Sequence, residues 1–99
     1  MIIQTKQEND ALTISLEGRL DTSTAPELEA CVKRSLEGVQ TLTMDMTRLD
    51  YISSAGLRVL LTAQKIMNAR GGMEITGANE TVMEIFEITG FSDILTIRV

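Results

Sequence analysis

The sequence predicts a single α/β domain over residues 1–99, with a mixed sheet and helices packed against it. Three observations carry that prediction. A short, partly apolar segment and an apolar-alternating one near the N-terminus flank the turn-forming Glu8-Asn9-Asp10, which reads as a hairpin. Beyond them, stripes of helical period alternate with strand runs, giving the order ββαβαβαβ. Parallel strands need crossover connections, so helices that alternate with strands lie against the sheet. No internal repeat, linker or low-complexity segment interrupts the chain.

Residues 2–6 are partly apolar and suit an edge strand. Leu12, Ile14 and Leu16 alternate with Thr13, Ser15 and Glu17, a period of two with one buried face. Residues 18–24 read as a polar loop. A helix is expected from Ala25-Pro26, since proline is tolerated in the first turn and Ser23 or Thr24 supplies a cap. Leu28, Cys31, Val32, Ser35 and Leu36 form its stripe, so Cys31 reads as a small core residue. Gly38 is a natural stop.

Leu42, Met44 and Met46 mark the next strand, and residues 47–50 lead out of it. A second helix is expected over residues 55–70. At 100° per residue, Gly56, Val59, Leu60, Ala63, Ile66 and Met67 share its core face, with Arg58, Thr62, Lys65 and Ala69 opposite. Leu57 and Leu61 fall on the flank, as core or as an apolar partner patch. Gly71-Gly72 ends this helix, residues 73–76 form a short strand, and Asn79 caps a third helix with Val82, Ile85 and Phe86 as its stripe. Gly90 closes it, Phe91 follows, and residues 95–99 form a last strand.

Composition narrows the function. At 99 residues and 43% hydrophobic, the chain can bury a core without metals or disulfides. Its 14 acidic against 9 basic residues, net −5, argue against a phosphate-backbone binder. The three aromatics, Tyr51, Phe86 and Phe91, offer little for base stacking. A single cysteine suits a reducing compartment. No run of about 18 apolar residues is present. The expectation is a soluble cytoplasmic domain with neither nucleic acid nor membrane as partner and no implied cofactor. Histidine is absent, which removes histidine-activated nucleophiles and histidine-ligated zinc.

The informative stretch is Asp50-Tyr51-Ile52-Ser53-Ser54-Ala55-Gly56-Leu57-Arg58, between strand and second helix. Serine at a helix start accepts from the unpaired N–H groups of the first turn. A serine there is either a plain cap or a site to be modified. Gly56 costs helix propensity relative to alanine, so a close approach, by a partner or by the sheet beneath, accounts for it. Asp21 and Asp50 are turn aspartates or, more sharply, hydrogen-bond anchors of the serine loop or contacts for a kinase, with turn chemistry favoured for Asp50.

These segments resemble the anti-sigma-factor antagonist, or STAS, family over essentially the whole chain. Gly18-Arg19-Leu20-Asp21 with Thr24-Ala25 resembles the family's loop before its first helix. Residues 49–57 resemble its signature loop and residues 82–91 its third helix and following turn. The resemblance implies a non-enzymatic partner-switching module. Unphosphorylated, such a module binds an anti-sigma factor that is also a serine kinase, and so frees a sigma factor. Phosphorylation of a signature-loop serine ends the binding, and a serine phosphatase restores it. By motif position that serine is Ser54. The family often carries Asp before it and Ser or Thr after it, where this chain has Ser53 and Ala55. Ser53 is therefore the alternative acceptor. The implied docking surface comprises Asp21, Thr22, Ser23, Thr24, Ser53, Ser54, Gly56, Leu57, Arg58 and Leu61.

Two other readings remain at this level. A STAS scaffold could bind a non-sigma partner, such as a transporter subunit or a signalling assembly, without a phospho-switch. The leading glycine of a nucleophile elbow is missing before Ser53 and no histidine exists, so an enzyme would need a Ser–Lys pair with Lys65 or Lys33. Gly71-Gly72 is too short for a phosphate loop.

Overall fold

The computed structural model describes residues 1–98. Strand β1 (Ile2–Glu8) and strand β2 (Ala11–Leu20) form the expected hairpin, paired from Ile2↔Glu17 to Glu8↔Ala11. Asn9 takes a left-handed φ of 57° at the turn, a conformation asparagine tolerates. Helix α1 (Ala25–Ser35), strand β3 (Thr41–Ile52), helix α2 (Ser54–Asn68), strand β4 (Met73–Thr76), helix α3 (Glu80–Thr89) and strand β5 (Ile97–Arg98) follow. A 3-10 turn over Phe91–Asp93 precedes β5.

The strands lie in sequence order, β1-β2-β3-β4-β5, antiparallel in the first pair and parallel thereafter. Each crossover therefore steps in the same direction. With right-handed connections, all three helices fall on one face of the sheet. Burial follows that layout. Leu12, Ile14, Leu16, Met44, Met46 and Ile75 point into the core, while Thr13, Ser15, Thr43 and Glu74 on the opposite face stay half-exposed. The helices close the core with Leu28, Cys31 and Val32 from α1, Leu60, Ala63 and Met67 from α2, and Val82 and Phe86 from α3.

Both long strands outrun their expected ends. The segment 18–20, expected in a loop, is strand, and so are residues 47–50, expected to lead out of one, together with Tyr51 and Ile52. Irregular alternation is the reason. Register shifts fall between Ser15/Glu17 and Gly18/Arg19, so β3 spaces its inward residues Met46, Leu49 and Ile52 three apart. Asp45 builds the first irregularity, its Oδ1 accepting from Thr47 N at 3.0 Å and from Thr47 Oγ1 at 2.6 Å. Those bonds, the hydroxyl foremost, hold the Asp45 carboxyl below the usual range. Asp50 is the unpaired residue of the second irregularity, between the pairs Gly18↔Leu49 and Arg19↔Tyr51. It is a bulge residue within a strand, which corrects its reading as a turn aspartate.

Helix α2 starts one residue earlier and ends two residues sooner than expected. Asn79 caps α3 through Val82 N at 2.8 Å and ties it to β3 by donating to Leu49 O at 3.0 Å. Gly90 closes α3 at φ 81°, as expected of a glycine beyond a helix end. The last strand is two residues long rather than five, and Val99 lies outside the described residues.

Candidate functional site

The parallel strands β2 and β3 end side by side, at the paired residues Leu20 and Ile52. The chain leaves β2 through residues 21–24 and leaves β3 through Ser53. Both turns therefore lie at one edge of the sheet. Ser53 N donates to Leu20 O at 2.8 Å, extending the ladder by one bond and fixing the serine loop beside the first loop.

Asp21 organises the first loop. Its Oδ1 accepts from Ser23 Oγ at 2.7 Å, Ser23 N at 3.0 Å and Thr24 N at 3.2 Å, while its carbonyl accepts from Ala25 N at 2.8 Å. These donors, led by the Ser23 hydroxyl, hold the Asp21 carboxyl below its ordinary range against a smaller opposing effect of burial. Arg19 Nε lies 3.9 Å from its other oxygen. Asp21 thus serves its own turn and the start of α1. This corrects the reading of Asp21 as anchor of the serine loop, whose backbone tie is the Leu20 carbonyl. Thr24 occupies the N-cap position without a side-chain cap bond. Its hydroxyl donates to Arg19 O at 2.8 Å and accepts from Asp21 N at 2.9 Å, so it braces the loop instead.

The two serines divide their roles. Ser53 is extended at φ −98°, ψ 175°, and its Oγ accepts from Gly56 N at 3.4 Å, so it is the cap of α2. Ser54 is the first residue of α2 and is exposed. Aligned peptide dipoles put partial positive charge at that end of the helix.

Gly56 and Leu57 do not belong to an exposed contact face. Both are buried, Leu57 at 4% exposure. A Cβ on Gly56 would stand 2.6 Å from Leu20 Cγ and 2.9 Å from Ile52 Cγ1. The sheet beneath, not a partner, requires that glycine. Leu61 is half-buried, and Arg58 is exposed. Of the expected surface, Thr22, Ser23, Ser54 and Arg58 are exposed, with Asp21, Thr24, Ser53 and Leu61 half-buried among them.

Two features at this edge escaped sequence reasoning. A groove of about 160 Å³ runs between Thr22, Ala25, Pro26 and Glu29 on one side and Ala55, Arg58 and Val59 on the other. Its signal in the sequence was the run of small residues at both helix starts. The Arg19 guanidinium also sits over the Tyr51 ring, 4.5 Å from its centre. That pair became legible only once residues 18–20 and 47–52 were known to be paired strands.

A model of the STAS domain matches residues 3–99. BtrV of Bordetella bronchiseptica is 36% identical over 96 residues, covering 94% of this chain and 83% of that protein. The anti-sigma-B factor antagonist of Listeria monocytogenes is 33% identical over 99 residues, with 94% and 83% covered. Among solved structures, the anti-sigma factor antagonist SpoIIAA in its unphosphorylated form superposes with a TM-score of 0.84 at 20% identity, over 99% of this chain and 89% of that one. The phosphorylated form of Bacillus SpoIIAA gives 0.75 at 19% identity, over 99% and 92%. With the fold, the paired loops and these likenesses together, the chain belongs to the STAS domain family.

Proposed function

We propose that this domain is an anti-sigma factor antagonist that works by partner switching. In the unmodified state it binds an anti-sigma factor that is also a serine kinase, which frees a sigma factor. The kinase then phosphorylates Ser54: the serine Oγ attacks the γ-phosphorus of ATP, the bond to the ADP oxygen breaks, and the hydroxyl proton passes to a base on the kinase. A serine phosphatase hydrolyses the phosphate and resets the domain.

The observation that supports Ser54 over Ser53 is the division of their hydroxyls. Ser53 Oγ accepts the Gly56 N–H at the cap, while Ser54 is exposed at the first helical position. The docking surface of this reading is Thr22, Ser23, Ser54 and Arg58 around the groove, with Asp21, Thr24, Ser53 and Leu61 at its margins. Phosphate adds roughly −1.5 to −2 charges. Desolvating such a group in an interface that fits a neutral hydroxyl costs several kcal/mol, and about 1.4 kcal/mol is tenfold in affinity. Binding therefore falls by orders of magnitude on modification.

The test is incubation with the cognate kinase and ATP, followed by mass spectrometry and a binding measurement. Ser54→Ala binds constitutively and resists the kinase, and Ser54→Asp binds poorly. Phosphate on Ser53 alone would move the switch by one residue. Absence of phosphate on both, with partner binding intact, would establish the scaffold reading instead.

A further inference from the structure

We infer that Arg58 is the internal counter-ion of phosphorylated Ser54, an intrahelical clamp that holds the phosphate on the domain's own surface. The inference rests on the reading that Ser54 receives the phosphate. Ser54 is the first residue of α2, and Arg58 lies four residues on, both exposed. Side chains four apart on a helix are neighbours, about 5–6 Å between Cβ atoms, and an acid N-terminal to its base is the better orientation. Helical side chains also lean towards the N-terminus, which carries the guanidinium back over the first turn.

Arg58 is available for this. Among the described residues Arg19 pairs with Asp21 and covers Tyr51, Arg48 pairs with Glu17, Arg98 pairs with Glu74, and Arg70 donates to Leu36 O and Val39 O. Arg58 makes no ion pair there and borders the groove beside Ala55. The other charged groups named on the two loops and in the groove are acidic or already paired among the described residues. Asp21 is engaged by its own loop and by Arg19, Glu29 across the groove is 3.7 Å from Lys33, and Asp50 stands at the β3 bulge. A dianion on Ser54 therefore has, four residues on in its own helix, a cation that makes no ion pair among the described residues. Pairing with Arg58 offsets the added negative charge, and it occupies the guanidinium that the unmodified surface leaves open to a partner's acidic groups.

The test installs phosphoserine at position 54 during synthesis, so that it does not depend on any kinase, and follows the phosphate by ³¹P NMR titration. Arg58→Gln keeps the aliphatic stem and removes the charge. It should raise the second pKa of the phosphate by about 0.3 unit, the size expected of one helical ion pair. Arg58→Lys should keep most of the wild-type value. Arg34→Gln, which removes an equally unpaired charge from the far end of α1, should leave the value unchanged. Equal pKa values for wild type and Arg58→Gln would overturn the clamp, and so would an equal shift from Arg34→Gln. Circular dichroism of each unmodified variant checks that the helix is retained. Failure of the kinase to modify Ser54 is read separately, by mass spectrometry of the enzymatic reaction, and would count against the switch rather than the clamp.

Discussion

Gly56→Ala sets two known effects against each other. Alanine is favoured over glycine inside a helix by up to about 1 kcal/mol, so propensity alone predicts stabilisation. The structure predicts the opposite sign. The new Cβ would stand 2.6 Å from Leu20 Cγ and 2.9 Å from both Leu20 Cδ2 and Ile52 Cγ1, against about 3.5–4.0 Å for favourable carbon contacts. Leu20 is 0% exposed and Ile52 1%, so neither side chain can retreat into solvent. Overpacking of this kind costs about 1–3 kcal/mol. The net expectation is destabilisation by about 1 kcal/mol, read as a fall of about 0.5 M in the urea midpoint for a domain of this size. Leu20→Ala removes two of the three crowding atoms, so Gly56→Ala should cost less in that background, with a coupling of at least about 0.5 kcal/mol in a double-mutant cycle. A raised midpoint for Gly56→Ala, together with strict additivity with Leu20→Ala, would refute the seating of α2 on β2.

Leu60 is completely buried at the centre of the α2 core face, so Leu60→Ala should cost about 2–5 kcal/mol in the same unfolding assay; an unchanged midpoint would mean the helix is in another register. The carboxyls of Asp21 and Asp45 are both held below their ordinary range by serine and threonine donors. Their contribution is therefore present above the unfolded value of about 3.9 and is lost as pH falls through the lower folded values. Asp21→Asn keeps an acceptor and removes the charge, so its stability deficit should be visible at about pH 7 and should vanish at about pH 2; a deficit that does not change with pH would show that the charge is irrelevant.

Element types and order were legible because the hydrophobic periods are clean in most segments. Leu12, Ile14 and Leu16 alternate without fault, and the faces of α2 follow the 100° step closely, with Leu60, Ala63 and Met67 inward and Arg58 and Lys65 outward. Strand ends were less legible where bulges break the period. Met46, Leu49 and Ile52 are spaced three apart and resemble neither a strand nor a helix pattern. The same break in period hides part of the site. Leu20, with polar neighbours around it, reads as loop from its spacing, yet in the strand it supplies both the carbonyl that fixes Ser53 and the bulk that demands Gly56. The cap at Ser53 and the exposure of Ser54 follow from local helix chemistry. The burial of Leu57 does not, because position on the helix flank leaves open whether a neighbouring element covers it.

The bare face of the sheet separates two sets of demands on this chain. Helices, serine loop and groove occupy one side. The other carries solvated threonines, serines and cross-strand ion pairs, Glu17 with Arg48 at 3.2 Å and Glu74 with Arg98 at 3.1 Å. Exposed pairs of this kind contribute little to stability, about 0–1 kcal/mol each, and substitutions more than about 7–10 Å apart act almost independently. Substitutions on that face can therefore alter charge or solubility while leaving the side that carries the serine loop and the groove unchanged. The same insulation makes the face a convenient anchorage: a fluorophore on a cysteine introduced at Thr43, with the native Cys31 shut in the core, would report on the domain from behind without touching the serine loop or the groove.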